Sequence, residues 1–216
     1  TDSEVQSIAA AFNSQDGLRL TATAQEMAKR MLREDEAIPE SYWHPLGFFR
    51  LEFGADGSGW RYAVHCWPAG YRSTQEPSWL IHRHVWPLES FVAVGGLVDR
   101  QYLAVDGPAD VAGTKYEVEV TPGQSALIRT IEDLNVARLR DATHERRFYG
   151  VDSMLYHESD VPLGDECITI VRIGPRVKSA SDVLGDLHGP ERLLYERRPV
   201  DLAARKAVLQ SLARLA

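Results

Sequence analysis

The chain has 216 residues and a formal net charge of −7, long enough for one domain with a sizeable core, and it carries no basic run able to follow a phosphate backbone, so no nucleic-acid partner is expected. No apolar run approaches the roughly 20 residues of a membrane span, and the start, Thr1-Asp2-Ser3-Glu4, is acidic where a signal peptide is basic. A cytoplasmic protein without a membrane partner is therefore expected. Cys66 and Cys167 each lie in a strand-like run, which reads as buried thiols and not as a disulfide framework.

The first 44 residues read as a helical extension. Ser3 with Gln6 suggests a capping box, and Val5, Ile8, Ala9 and Phe12 recur at helical spacing. Asp16-Gly17 breaks that pattern. A second helix is expected from Thr23, with Glu26 three residues on and Met27, Met31 and Leu32 on its apolar side, up to the charged Arg33-Glu34-Asp35-Glu36. Such helices suit the outside of a barrel wall or a homodimer contact.

From Tyr42 the period falls to two. Phe49, Leu51 and Phe53 alternate with Arg50 and Glu52, Asp56-Gly57 supplies a turn, and Trp60, Tyr62, Val64 and Cys66 alternate with Arg61, Ala63, His65 and Trp67, the signature of a hairpin. Trp79 to Gly96 follows, then strand-like runs at Gln101 to Val105, Tyr116 to Val120 and, past the Pro122-Gly123 turn, Ser125 to Ile128. Ile131 to Glu145 is charged and without clean alternation, fitting either a loop or a short helix. Strand character returns at Phe148 to Val151, Met154 to Tyr156 and Cys167 to Ile173, and a last helix is expected from about Asp201 with Leu202, Leu209, Leu212 and Leu215 on one side. Many short strands between turns indicate an all-β sandwich or barrel.

The chemistry-bearing stretch is Trp79 to Gly96. His82 and His84 stand two apart, so on a strand their imidazoles share a face roughly 7 Å apart. Glu89 follows beyond Pro87. Two histidines and a carboxylate can hold a divalent metal and leave positions open; the bland reading is two polar residues on a solvated face. Downstream, His144 lies in the charged segment and His157 follows the run ending at Tyr156. His65 shares a strand face with Arg61, and if that face points inward the pair can bind an anionic group, with Arg61 as a bidentate fork; otherwise both face solvent. Arg129 and Arg147 are further candidates for such a group, and Trp79, Trp86, Phe91 and Tyr156 for an apolar lining.

His-x-His, four residues, Glu and then a Gly resembles the first motif of the cupin superfamily, and Tyr156-His157-Glu158, the Pro162-to-Gly164 turn and Ile168 to Val171 resemble its second. The resemblance spans Pro45 to Pro175, with a longer separation between the motifs than usual and no Pro-x-Gly before the second histidine. It implies a mainly β fold, a cupin-type jelly-roll barrel over residues 45–175, with the helical extension 1–44 before it and a C-terminal extension with a helix, 176–216, after it. It further implies a metal held by His82, His84 and His157, with Glu89 as a fourth ligand or as an acceptor that orients a ligand. Within the superfamily the block is similar to the cysteine dioxygenase-like branch, which holds ferrous iron with three histidines and no carboxylate ligand, and which implies Fe(II), dioxygen and a small organic acid or amino-acid-like substrate; the candidate catalytic residues are Glu89 and, from their shared strand face, Arg61 and His65. Zinc, manganese, nickel or copper suits the same ligands. Two other functions remain open: a metal-dependent isomerase, lyase or hydrolase without oxygen chemistry, and a cupin that binds a small ligand without turnover.

Overall fold

The structure, a computed structural model, describes residues 1–34, 38–121 and 123–215. Helices α1 (Asp2–Ser14) and α2 (Gly17–Arg33) open the chain. Thr1 is the N-cap of α1 and Glu4 completes its capping box, two positions before the Ser3 and Gln6 pair. Asp16 accepts from the Arg19 amide at 2.9 Å and caps α2, so the break after α1 is itself the start of the next helix and Thr23 lies within it. Arg33 ends α2; Asp35 and Glu36 of the expected charged end, like Pro122 of the expected turn, lie outside the described residues.

The strands are β1 (Phe49–Ala55), β2 (Arg61–Trp67), β3 (His82–Arg83), β4 (Leu88–Val94), β5 (Leu97–Ala104), β6 (Val111–Thr121), β7 (Gln124–His144), β8 (Phe148–Val151), β9 (Tyr156–Asp160), β10 (Cys167–Ile173), β11 (Ser181–Gly185) and β12 (Arg192–Glu196), and α3 (Leu202–Ala213) closes the order. The protein is thus mainly β. The described residues form two antiparallel sheets, one in the order β1-β2-β10-β4-β8 and one in the order β12-β7-β5-β9-β3-β11-β6, with a further pairing of β6 to β7. None of the described helices is long and apolar enough to cross a membrane.

The segment that alternation left open, Ile131 to Glu145, is strand through His144. Most of its side chains are exposed on both faces, so burial imposes no period of two. Backbone pairing holds it instead, first to β6 up to Val136 and then to β5. β11 and β12 were not anticipated either; residues 176–216 contribute these two strands to the larger sheet as well as α3, which Asp201 caps through the Ala204 amide at 2.7 Å.

The three helices cover one face of the five-stranded sheet. Ile8, Phe12, Leu20 and Met27 are buried with Leu51, Tyr62, Val64, Phe91 and Ile170 in one apolar cluster. Because successive strand residues point to opposite faces, burying Tyr62, Val64 and Cys66 against the helices turns Arg61, Ala63, His65 and Trp67 toward the other sheet. Cys66 and Cys167 are free and buried as expected, and burial pushes both thiols up, Cys167 to about 12.

Candidate metal centre

β3 lies between β9 and β11, and His82 is registered directly opposite His157 of β9. His84 follows β3 on the same side. Among the described residues, His82, His84 and His157 form a group in which one ring nitrogen from each lies within 4.8 Å of the other two. The His84 and His157 Nε2 atoms are 3.0 Å apart, about the separation of neighbouring ligands whose metal–nitrogen bonds are about 2.0–2.1 Å.

The groups behind the rings fit a metal. His82 Nδ1 lies 2.7 Å from the Leu80 carbonyl, which only a protonated Nδ1 can use, and this leaves Nε2 bare. His157 Nδ1 is 3.3 Å from Asp99 Oδ1, the carboxylate-behind-histidine arrangement that fixes a ligand's tautomer and raises its basicity. Asp99 is fully buried and is held in turn by Gln101 Nε2 at 2.7 Å, which also donates to the Gly150 carbonyl at 2.8 Å. Burial and the neighbouring His157 push His82 down to about 3, and burial with His82 and His157 holds His84 well below its ordinary range. Both imidazoles are neutral at pH 7, the state in which the ring binds a metal.

Glu89 is not part of this group. It sits in β4 opposite Arg172 of β10, and Arg172 Nη2 donates to both of its oxygens at 2.9 Å. Its strand neighbour Phe91 is buried against the helices, so Glu89 shares that outer face, with the sheet between it and the histidines. Arg172 also reaches Asn13 of α1 at 2.6 Å, which makes the pair a contact between sheet and helix. His144 is also elsewhere: it is 3% exposed at the end of β7 and stacked on Tyr149 with ring centroids 4.5 Å apart, buried although the segment that carries it is charged, and outside the group.

Arg61 and His65 do face inward. Together with His82, His84 and Trp86 they line a cavity of about 520 Å³ between the sheets. Arg61 lies over the Trp86 ring at 5.0 Å, and Trp86 is stacked on His84 at 6.0 Å between centroids. Burial, with Arg50, His157 and His82 nearby, pushes His65 down to about 3. Trp79 lines the same cavity. Phe91 belongs to the cluster under the helices and Tyr156 to one with Tyr102 and Leu184. Arg129 is exposed and donates to the Gly189 carbonyl at 2.7 Å, and Arg147 lines a different cleft beside α2.

The sequence reading missed Asp99, Gln101, His44 and Arg197. Asp99 and Gln101 had a local signal: they continue the inward face begun by Leu97, so two polar residues occupy apolar positions of a strand. His44, stacked on Phe48 at 4.4 Å and held well below its ordinary range by burial and by His82, had none. Arg197 enters the cavity only because β12 joins the sheet. No family model matches the chain, and no curated protein matches it.

Proposed function

We propose that this protein is a cupin-type, mononuclear metal enzyme, with Fe(II) as the metal and a small organic acid oxidised by dioxygen as the reaction. The observation that carries the reading is the convergence of three histidine nitrogens, with Asp99 behind His157, at the wall of a cavity that also holds an inward-facing arginine. A divalent redox metal bound by three neutral imidazoles, with no carboxylate ligand, keeps its positive charge and open positions and so supplies a place for dioxygen and substrate side by side.

The chain's own residues divide the remaining work. The Leu80 carbonyl and Asp99 hold His82 and His157 in the tautomers that expose Nε2. Arg61, lying over Trp86, offers its guanidinium to a carboxylate. Trp86 and Trp79 supply apolar walls that exclude water, which strengthens that ion pair. His65, neutral at pH 7, hydrogen-bonds a substrate polar group without adding charge.

Metal content and oxygen uptake test the proposal. Purified protein loaded with Fe(II) is expected to hold one metal per chain and to consume oxygen with at least one member of a panel of small carboxylic acids and thiols, and His82→Ala is expected to lose both while remaining folded by circular dichroism. Turnover without oxygen uptake would instead favour a Lewis-acid isomerase, lyase or hydrolase. Binding of an acid without turnover would favour a ligand-binding protein.

A further inference from the structure

The cavity beside the histidines is lined by Arg50, Arg61, Arg176 and Arg197 against the carboxylates of Glu40, Glu52 and Asp182, so positive charge is in excess. Arg50 is paired with Glu52 at 2.7 Å. Asp182 is already engaged by Arg83, and Lys178 lies 3.3 Å from it. Among the described residues, neither Arg61 nor Arg197 has a carboxylate partner, and both line the cavity. An unpaired guanidinium in a partly apolar cavity costs free energy unless a ligand supplies the counter-charge.

Around Arg197 there is a second, independent sign of a missing partner. Its Nε is buried without a hydrogen-bond acceptor, and the hydroxyl of Ser125, also buried and also lining the cavity, has no partner. Backbone pairing brings these two together: Tyr195 is registered with Ser125, and the Arg197 amide donates to the Gly123 carbonyl at 2.9 Å. Arg197 and Arg50 are near enough that their repulsion adds to burial in holding the Arg197 guanidinium below its ordinary range. Arg50, registered with His65 of β2, stands between the two: the charge of Arg61 acts on Arg50 and that of Arg50 on Arg197, while Arg61 is not among the charges that act on Arg197. Arg61 and Arg197 therefore offer two positions for negative charge, one on either side of Arg50.

We infer that Arg197 and Ser125 form a second anion seat, and that the substrate of the cavity is a dianion, such as a linear dicarboxylate, with one acidic group at Arg61 and the other at Arg197. A guanidinium Nε–H and a hydroxyl beside it supply two donors to one oxyanion. This substrate class rests on the reading of the cavity as a substrate site, but not on the metal.

Calorimetric titration of metal-free protein separates the two. Succinate, glutarate, adipate and suberate are each compared with the monocarboxylate of equal carbon number. The best dicarboxylate is expected to bind at least about ten-fold tighter than its partner. Arg197→Met is expected to abolish that preference, Arg197→Lys to keep part of it, and Arg61→Met to weaken both acids. Equal affinities across every pair, no binding of any acid, or a preference that survives Arg197→Met in folded protein would overturn the inference. A dicarboxylate preference in a protein that takes up no metal would leave the second seat standing and remove the metal; metal uptake without the preference would do the reverse.

Discussion

At the scale of the residue, the centre depends on which atoms stand behind the histidines. Asp99 is buried and bonded to Gln101, so it is positioned before any metal arrives. Asp99→Asn keeps the shape and removes the negative charge behind His157 Nδ1. Metal affinity is expected to fall about 10- to 100-fold, the usual cost of losing such a partner, with little change in the fold, as read by competition against a chelator. His144→Ala supplies the contrast: metal content is expected to stay, while the loss of a buried ring stacked on Tyr149 lowers the unfolding temperature. Loss of metal with His144→Ala and its retention with His157→Ala would remove His157 from the site.

At the scale of the element, the β1–β2 hairpin carries Arg50 on one strand and Arg61 and His65 on the other, and its turn is held by one carboxylate. Asp56 accepts from the Ser58 amide at 2.8 Å, the Ser58 hydroxyl at 2.6 Å and the Tyr62 hydroxyl at 2.6 Å. Burial alone would raise the carboxyl, but the hydrogen bonds from Ser58 and Tyr62 outweigh it and hold Asp56 at about 2. Asp56→Ala is expected to cost about 1–3 kcal/mol at pH 7, because charge-assisted bonds are lost and the Tyr62 hydroxyl loses its acceptor. An aspartate whose folded value lies below its unfolded one, about 3.9, contributes fully above that unfolded value and loses the contribution as pH falls through the folded one. The gap between wild type and variant in denaturant unfolding should therefore narrow between about pH 4 and pH 2. A gap that does not depend on pH would mean that the carboxylate is not the support of the turn.

At the scale of the whole molecule, the helices are part of the core. Phe12 is 1% exposed, lies against Tyr62 and Phe148 at 6.3 and 5.7 Å between ring centroids, and joins α1 to the back of the sheet whose other face lines the cavity. Phe12→Ala is expected to destabilise the protein by about 3–5 kcal/mol, while metal uptake by the molecules that remain folded is unchanged. Equilibrium unfolding measured beside metal content checks both halves. A loss under about 1 kcal/mol would show that α1 is an appendage, available for a homodimer contact instead.

The sequence by itself determined what is local. Alternation at Phe49 to Phe53 and Trp60 to Cys66 with Asp56-Gly57 between them specified the hairpin, because a period of two and a turn pair act over a few residues. The same strand spacing placed His82 and His84 on one face, the resemblance of the stretch from Tyr156 to Val171 to a second cupin motif added His157, and the structure brings those three together. Tertiary structure alone decided what depends on distant partners. Glu89 was assigned by its spacing from His84, yet its pairing with Arg172, far along the chain, directs it to the helix face. β7 shows no alternation because water meets both of its faces, and its strand form comes from the backbones of β5 and β6. Asp99 meets His157 across a β5–β9 pairing, and Arg197 reaches the cavity through the β7–β12 pairing. A side chain's direction on its own strand follows from neighbours in sequence; what it then faces is set by which strands pair, a long-range choice made by the burial of the whole core.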